Sequence, residues 1–249
     1  MPVNFYVHSN NTHNVPGPRA AASRQTEKAL KQGEARFYLL GERAAVLAAD
    51  APADLVCQRR IWWLASQLRG RPELVDIVPG MNNLTVVFDP LAVDGAAVLT
   101  ELQQLWSCAA EARFTPREVL VPVRYGGADG PDLDDVARHA GLSAAEVVAA
   151  HSGADYIVFF LGFQPGFAYL GGLPEALATP RRAEPRLAVP AGSVAIGGSQ
   201  TGIYPAAAPG GWHLIGRTAL TLFDPLREPP SLLMPGDTVR FVPEEADHA

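Results

Sequence analysis

The residues best suited to bind a small molecule lie at 162–172, in the sequence GFQPGFAYLGG, which holds four glycines, one proline and three aromatic rings. Glycine and proline allow a tight backbone path and leave backbone N–H groups free for a ligand. The rings of Phe163, Phe167 and Tyr169 could pack against a flat ligand, although aromatic side chains also fill the core of a plain β barrel. We refer to these residues as the glycine–aromatic segment and expect it to form a binding loop.

Three arginines stand on a proline-stiffened stretch at 179–186, TPRRAEPR, which we call the arginine segment. A guanidinium group presents paired donors that match a carboxylate or a phosphate. A stiff backbone loses little conformational entropy when its side chains bind a ligand. We therefore expect Arg181 and Arg186 to bind an anionic group, with a solvated surface loop as the alternative.

Polar and amphipathic side chains also stand among glycines further along the chain. Gln200 and Tyr204 follow one glycine-rich stretch, and Trp212 follows the pair Gly210 and Gly211. These residues could orient a ligand in a pocket, or they could simply form turns between the strands of a barrel. Their spacing alone does not separate the two interpretations.

His151 stands at the predicted end of a helix, where a protonated imidazole interacts favourably with the helix dipole. It could be a helix cap, or it could transfer protons as a general acid or base. Ser193 and Ser199 lie among glycines, and His213 follows them, so a Ser–His hydrolase stays open as an alternative. The G-x-S-x-G elbow of the common serine hydrolases is absent from the sequence.

Composition argues against several functions. The net charge of −6 and the absence of a basic run argue against nucleic-acid binding. Lys28 and Lys31 are the only lysines, so no later lysine can form a Schiff base, carry biotin or serve a P-loop. The sequence contains no Cys/His cluster with zinc spacing, and we assign no metal ligand.

The compartment is indicated by the cysteines and the N-terminus. Cys57 and Cys108 are the only cysteines, which fits a reducing environment better than a disulfide scaffold. The apolar runs are too short to span a membrane, and the N-terminus lacks the order of a signal peptide. We expect a cytoplasmic protein without membrane contact.

Residues 1–34 are polar without apolar periodicity, and we expect a disordered tail there. Residues 35–125 interleave strand and helix patterns, which predicts a small α/β sandwich. Trp62 and Trp63 cannot both face one core, so one ring is expected to meet a neighbouring domain or stay half exposed. Strands are predicted at 36–40, 44–49, 74–79, 84–88 and 118–124, and helices at 54–68 and 94–107.

Residues 126–249 open with two short helices and continue with β patterns. The helices are predicted at 132–140, ending at Gly141, and from a capping box at Ser143 and Glu146 to about residue 151. Short β-like runs at 156–161, 193–196, 214–215, 220–223 and 238–242 are separated by glycine and proline. This pattern predicts a closed antiparallel β barrel, and the fold class is α+β.

Several long motifs resemble those of the 5-oxoprolinase family of B subunits. They are YGG and GPDL at 125–133, GFQPGFAYLGGL, TPRRAEPR, VPAGSVAIGG and YPAAAPGGWHLIGRT, in matching order over about 35–243. The resemblance implies that the barrel is cyclophilin-like. It also implies direct assembly with a C subunit, and a complex with an A subunit, that cleaves 5-oxo-L-proline to L-glutamate with ATP and magnesium.

The resemblance and the residue chemistry together nominate a site. In this hypothesis the B and C subunits phosphorylate the lactam, and the chain is inactive alone. The catalytic candidates are His151, Arg181, Gln200 and Tyr204. The candidates for substrate binding are Phe163, Pro165, Gly166, Phe167, Tyr169, Arg186, Gly210, Gly211 and Trp212. The alternatives are an inhibitor of a sensor histidine kinase, half of a biotin-dependent carboxyltransferase whose biotin lies on another chain, and a prolyl isomerase.

Overall fold

The computed structural model describes residues 35–50, 54–109 and 116–244. The predicted tail at 1–34 lies outside these residues. Four strands and two helices form the first part of the described chain. They are β1 (Ala35–Leu40), β2 (Ala44–Ala49), α1 (Leu55–Leu68), β3 (Leu74–Gly80), β4 (Asn83–Phe88) and α2 (Gly95–Cys108).

The four strands pair antiparallel in the order β1-β2-β4-β3. Both helices begin where the sequence predicts, because the carboxylates of Asp54 and Asp94 accept hydrogen bonds from backbone N–H groups of the first turn. The helices and the sheet share one core, in which Leu47, Ile61 and Leu84 have no exposed surface.

The remaining elements form the barrel and the segments around it. They are β5 (Glu118–Tyr125), α3 (Leu133–Ala140), α4 (Ala144–Ser152), β6 (Tyr156–Leu161), β7 (Ala168–Gly171), β8 (Arg186–Val189), β9 (Ser193–Gly197), β10 (Gln200–Ile203), β11 (Ala208–Gly210), β12 (His213–Arg217) and β13 (Thr238–Pro243). Seven strands close a barrel in the order β10-β7-β6-β13-β5-β12-β9, and β8 pairs with β11 in a separate ribbon.

The α+β class and the closed barrel predicted from the sequence are confirmed. Among the described barrel strands, β5 and β13 pair in parallel and the other pairs are antiparallel. This pairing corrects the predicted boundary at residue 125, because β5 precedes that boundary and yet belongs to the barrel. The α3 helix ends at Gly141 with a left-handed φ of 68°, and the capping box of Ser143 and Glu146 is present.

The prediction of a strand at 220–223 is wrong. The structure contains only an isolated bridge between Phe223 and Ser231 there. Leu222 is buried in the barrel core, and its carbonyl accepts from the N–H of Leu232. The apolar spacing of this run reflects burial, but the closed barrel has no free edge with which the run could pair.

A β-bulge joins the N-terminal sheet and helices to the barrel. The register between β6 and β7 shifts so that Phe159 is an extra residue on β6. Its carbonyl accepts hydrogen bonds from Trp62 Nε1 at 2.7 Å and from Gln58 Nε2 at 3.1 Å. Trp62 is thus the member of the tryptophan pair that meets the neighbouring domain, as predicted, while Trp63 is half-buried.

We predict that Trp62→Phe destabilises the chain by about 1 kcal/mol, because it removes one of two donors to a buried carbonyl and leaves the other. Trp63→Phe is the matched control, and we expect a smaller change because that ring is half-buried. Urea denaturation of the two variants measures the difference. Equal losses in both variants would show that the bond to Phe159 does not stabilise the interface.

Candidate functional site

A cleft of about 190 Å³ brings together the glycine–aromatic segment, the arginine segment and the residues around β11. Because these segments are far apart in sequence, only the closed barrel places them side by side. The lining residues are Phe163, Phe167, Tyr169, Arg181, Arg182, Pro185, Tyr204, Pro209, Gly210, Gly211 and Trp212.

Aromatic rings form the wall of the cleft. Phe167 lies edge-to-face with Tyr204 and Trp212, at ring-centroid distances of 5.4 and 5.7 Å. These three residues are buried, so their rings are held by packing rather than free to rotate. At Gly210 a Cβ atom would lie 2.3 Å from the hydroxyl of Tyr204, which explains why the wall needs glycine there.

Two phenols in the wall stay protonated at neutral pH. Burial raises the pKa of Tyr204, and the backbone N–H of Trp212 that hydrogen-bonds to its hydroxyl opposes this rise. Burial also raises the pKa of Tyr169, with an opposing effect from the nearby Arg181. A neutral phenol donates one hydrogen bond, so both residues could bind an oxygen atom of a ligand.

A buried carboxylate organises the arginine segment. Asp132, at the start of α3, accepts two hydrogen bonds of 2.7 Å from Arg186 and one of 3.1 Å from Arg182. Its Oδ2 also accepts from the backbone N–H of Leu214. Burial alone would raise the pKa of Asp132, but the bonds from Arg186 and Leu214 outweigh burial and hold that pKa below its ordinary value.

Arg181 is the charged group left available in the cleft. Its guanidinium carbon lies 5.8 Å from the ring centroid of Trp212, and the side chain is exposed. The described residues place no carboxylate within ion-pair distance of it, whereas Arg182 and Arg186 are both bound to Asp132. Arg182 lines the cleft as well, and its buried Nε has no acceptor among the described residues.

The structure does not bring every predicted residue to the cleft. Arg186 is bound to Asp132 and is a structural residue, and Gln200 lies on β10 outside the lining. Pro165 is exposed outside the lining. A Cβ atom at Gly166 would meet Phe223, so this glycine permits close packing rather than ligand contact.

His151 lies in the barrel core and not in the cleft. Its side chain is fully buried, with Nδ1 at 2.8 Å from the hydroxyl of Tyr125 and Nε2 at 3.0 Å from Thr201 Oγ1. The Thr201 hydroxyl donates its proton to the carbonyl of Ala195, so Nε2 is the donor and Nδ1 the acceptor. Burial lowers the pKa of His151 to about 3, and this neutral imidazole ties strands together. Its placement does not support a role in proton transfer to a ligand.

Sequence reasoning missed three lining residues, Arg182, Pro185 and Pro209. Arg182 and Pro185 belong to the arginine segment, and Pro209 directly precedes the predicted Gly210. The sequence analysis therefore identified the correct segments, but not every lining residue within them. Which side chains of an irregular segment face the cleft depends on tertiary contacts that the sequence pattern does not contain.

Three side chains of the described residues lie close enough to hold a metal ion, namely Asp132, Asp135 and His213. The oxygens of Asp132 are already bound by Arg182 and Arg186, and Asp135 pairs with Arg138. Two guanidinium groups at the shared carboxylate repel a cation. The group is therefore better explained as an ion-pair cluster.

The fold is α+β, and its closed barrel carries a small cleft lined by aromatic rings and arginines. The chain matches the family model of the carboxyltransferase domain, subdomain C and D, over residues 35–233. The chain therefore belongs to this family. No helix in the described residues is long and apolar enough to cross a membrane.

Relatives refine the assignment to the group of 5-oxoprolinase B subunits. The chain is 56% identical over 214 residues to the 5-oxoprolinase B subunit of Escherichia coli O157:H7, covering 85% of this chain and 97% of that protein. It is 48% identical over 205 residues to the 5-oxoprolinase B subunit of Haemophilus influenzae, covering 82% and 96%. The resemblance seen in the sequence motifs is confirmed.

A crystal structure of TTHA0988 shares the fold, with 40% identity and a TM-score of 0.73. The match covers 83% of this chain and 41% of that chain. The present chain thus spans about two fifths of the length of TTHA0988, and more than half of that protein has no counterpart here.

We predict that Asp132→Asn destabilises the chain by about 3 kcal/mol, because it leaves two partly buried arginines without their counter-charge. Asp135→Asn on the same helix is the control, since its exposed pair with Arg138 contributes about 0.5 kcal/mol or less. Urea denaturation at neutral pH measures both. A loss for Asp132→Asn no greater than that of the control would contradict the organising role of the buried carboxylate.

The buried imidazole predicts a pH dependence of stability. Unfolded His151 binds a proton below about pH 6.5, whereas the folded residue does so only near pH 3, so its contribution is present above pH 6.5 and is lost on acidification. Between pH 7 and 5 the free energy of unfolding of the wild type should fall by about 2 kcal/mol more than that of His151→Gln. Urea midpoints at several pH values measure the slope. A wild-type slope in His151→Gln would contradict the prediction.

Proposed function

We propose that this chain is the B subunit of an ATP-dependent 5-oxoprolinase, which cleaves 5-oxo-L-proline to L-glutamate together with A and C subunits. The identity to proteins named as B subunits of 5-oxoprolinase, over almost their whole length, supports the substrate class and the role in an enzyme complex. Both cysteines are free, which is compatible with the proposed cytoplasmic location.

The observation that carries the proposal is the pairing of Arg181 with the aromatic wall. 5-Oxoproline has one carboxylate and a small, nearly flat lactam ring. Arg181 can bind the carboxylate through its paired donors, because the described residues leave its guanidinium without a carboxylate partner. The rings of Phe167 and Trp212 can cover the lactam, and the neutral phenols of Tyr169 and Tyr204 can donate to the lactam oxygen.

The cleft fits the lactam better than the nucleotide. Its volume of about 190 Å³ is below the range of about 300–1,000 Å³ that is usual for drug-sized ligands. No carboxylate lines it among the described residues, so it offers no ligand that magnesium prefers. We infer that Mg-ATP binds mainly to the partner polypeptides and that this chain binds and orients the lactam.

In this proposal the γ-phosphoryl group of ATP passes to the lactam oxygen and ADP leaves. Phosphorylation lowers the C–O bond order and opens the carbon to attack by water. Addition of one water and cleavage of the C–N bond give γ-glutamyl phosphate, and a second water hydrolyses this acyl phosphate to glutamate and phosphate. The contribution of this chain is positioning and charge complementarity, which are the main sources of catalysis in phosphoryl transfer. The proposed direct partner for phosphorylation is the C subunit, and the proposed partner for ring opening is the A subunit.

The length comparison supports the need for partners. TTHA0988 contains a match to this chain within a polypeptide of which more than half has no counterpart here. A fused neighbour in one protein is compatible with a separate partner chain in another. We therefore propose that the site is completed by a second polypeptide.

The decisive experiment co-expresses this chain with its A and C subunits and follows glutamate and ADP release after addition of 5-oxoproline and ATP. We expect turnover that disappears when this chain is omitted. Turnover that persists without the chain would overturn the proposal. A stable complex without any turnover would contradict the proposal as well. It would favour carboxyl transfer with biotin from another chain, or binding of a sensor histidine kinase.

We predict that Arg181→Gln in the assembled enzyme raises the KM for 5-oxoproline by at least about tenfold, because a charge-assisted hydrogen bond of about 1.5–3 kcal/mol is lost. Arg181→Lys should recover only part of this loss, since an ammonium group cannot bind a carboxylate through two parallel bonds. The control is Arg138→Gln, at an exposed site on α3. An unchanged KM in Arg181→Gln would show that Arg181 does not bind the substrate.

A further inference from the structure

Phe163 occupies a backbone conformation that is unfavourable for its residue type. Its φ is +66°, in the left-handed region that phenylalanine rarely adopts. The N–H of Gln164 donates to the carbonyl of Gly162 at 2.7 Å, so Phe163 is the central residue of a three-residue turn with positive φ. This form of the γ-turn is the rare and strained one.

Phe163 is also placed unfavourably for an apolar residue, because its relative exposure to solvent is 60%. Glycine at this position would relieve the backbone strain and would expose no apolar surface. Neither folding nor core packing explains the choice of phenylalanine. Strained backbone of this kind tends to occur where it is required for function.

The surroundings hold the ring at the cleft. Its visible contacts are edge-to-face with Phe167 at 5.4 Å and with Tyr204 at 6.1 Å, and both of these residues belong to the aromatic wall. Phe163 itself lines the cleft. The exposed part of the ring is therefore available to a ligand that lies against that wall.

The loop that carries Phe163 is fixed on both sides. The N–H of Gly162 donates to the carbonyl of Phe167, and the N–H of Phe167 donates to the carbonyl of Gln164. The side-chain amide of Gln164 donates to the carbonyl of Ala206 at 3.3 Å. These hydrogen bonds fix the backbone that carries the ring, and the edge-to-face contacts with Phe167 and Tyr204 favour a ring position at the cleft.

We propose that Phe163 is a specificity-determining residue, whose strained turn holds its ring over the cleft so that the site accepts a small planar ring and excludes larger ones. This inference rests on the proposed function, in which the ligand is a five-membered lactam that binds Arg181 through its carboxylate. The ring would contribute apolar contact that is equal in the ground state and the transition state, so its loss should change KM rather than kcat.

The test uses the assembled enzyme with the wild-type chain, Phe163→Ala and Phe163→Gly. KM and kcat are measured for 5-oxoproline and for its six-membered homologue, 6-oxopiperidine-2-carboxylate. We expect both variants to raise the KM for 5-oxoproline about tenfold with kcat nearly unchanged, as loss of one aromatic contact predicts. The preference for the five-membered ring should fall by a similar factor. The control Leu226→Ala, at another exposed apolar residue outside the cleft, should leave both constants unchanged.

A second measurement tests the strain without catalysis. Urea denaturation of the full-length chain should place Phe163→Gly above Phe163→Ala in stability, because alanine keeps the unfavourable left-handed conformation and glycine does not. Both variants lack the ring, so the comparison isolates the backbone. A glycine variant that is no more stable than the alanine variant would overturn the inference that the turn is strained.

The outcomes separate this inference from the proposed function. If the wild-type assembly is active and Phe163→Ala keeps the wild-type KM and ring-size preference, the specificity role is overturned and the proposed function stands. If the wild-type assembly neither binds nor cleaves 5-oxoproline, both fail. A raised KM with an unchanged ring-size preference would also overturn the specificity role, because it would reduce Phe163 to a general contact.

Discussion

The buried carboxylate of Asp132 is the constraint on which the cleft depends. A carboxylate without surrounding water is strongly unfavourable unless cations and hydrogen-bond donors surround it. Arg182, Arg186 and the backbone of Leu214 meet that requirement, and in doing so they join the start of α3 to the arginine segment and to β12. Two of the three arginines in the arginine segment, Arg182 and Arg186, are thus held by Asp132. Arg181 is the one that has no carboxylate partner among the described residues.

The N-terminal domain contacts strand β6, which leads directly into the cleft. The bulge at Phe159 turns a carbonyl out of the barrel ladder, where it binds Gln58 and Trp62. The next residue, Phe160, stacks on Tyr169 of the cleft at 4.4 Å. Strand β6 then ends directly before the glycine–aromatic segment. Docking of the two parts of the chain and the shape of the cleft are thus set by neighbouring residues of one strand.

The sequence predicted the elements well where the determinants are local. Helix starts at Asp54, Asp94 and Ser143 depend on side chains within one turn, and the structure places them as predicted. The pairing of β5 with β13, and the absence of a strand at 220–223, depend on how the barrel closes. Short-range sequence patterns do not encode barrel closure. Within the site the right segments were identified, but Arg181 and Arg186 are chemically identical in the sequence, and only the position of Asp132 separates their roles.

The openness of the cleft bears on how it could catalyse a reaction. Arg181 and Phe163, the two groups best placed to touch a ligand, are both exposed. A lactam held there would keep contact with water on one side. Phosphoryl transfer requires that water be excluded from the reacting groups, since charge is stabilised more strongly in a closed, preorganised site. On the proposed function, the second surface that covers the lactam must therefore come from a partner chain, and the exposed rim at Arg181 and Phe163 is where that surface would meet this one.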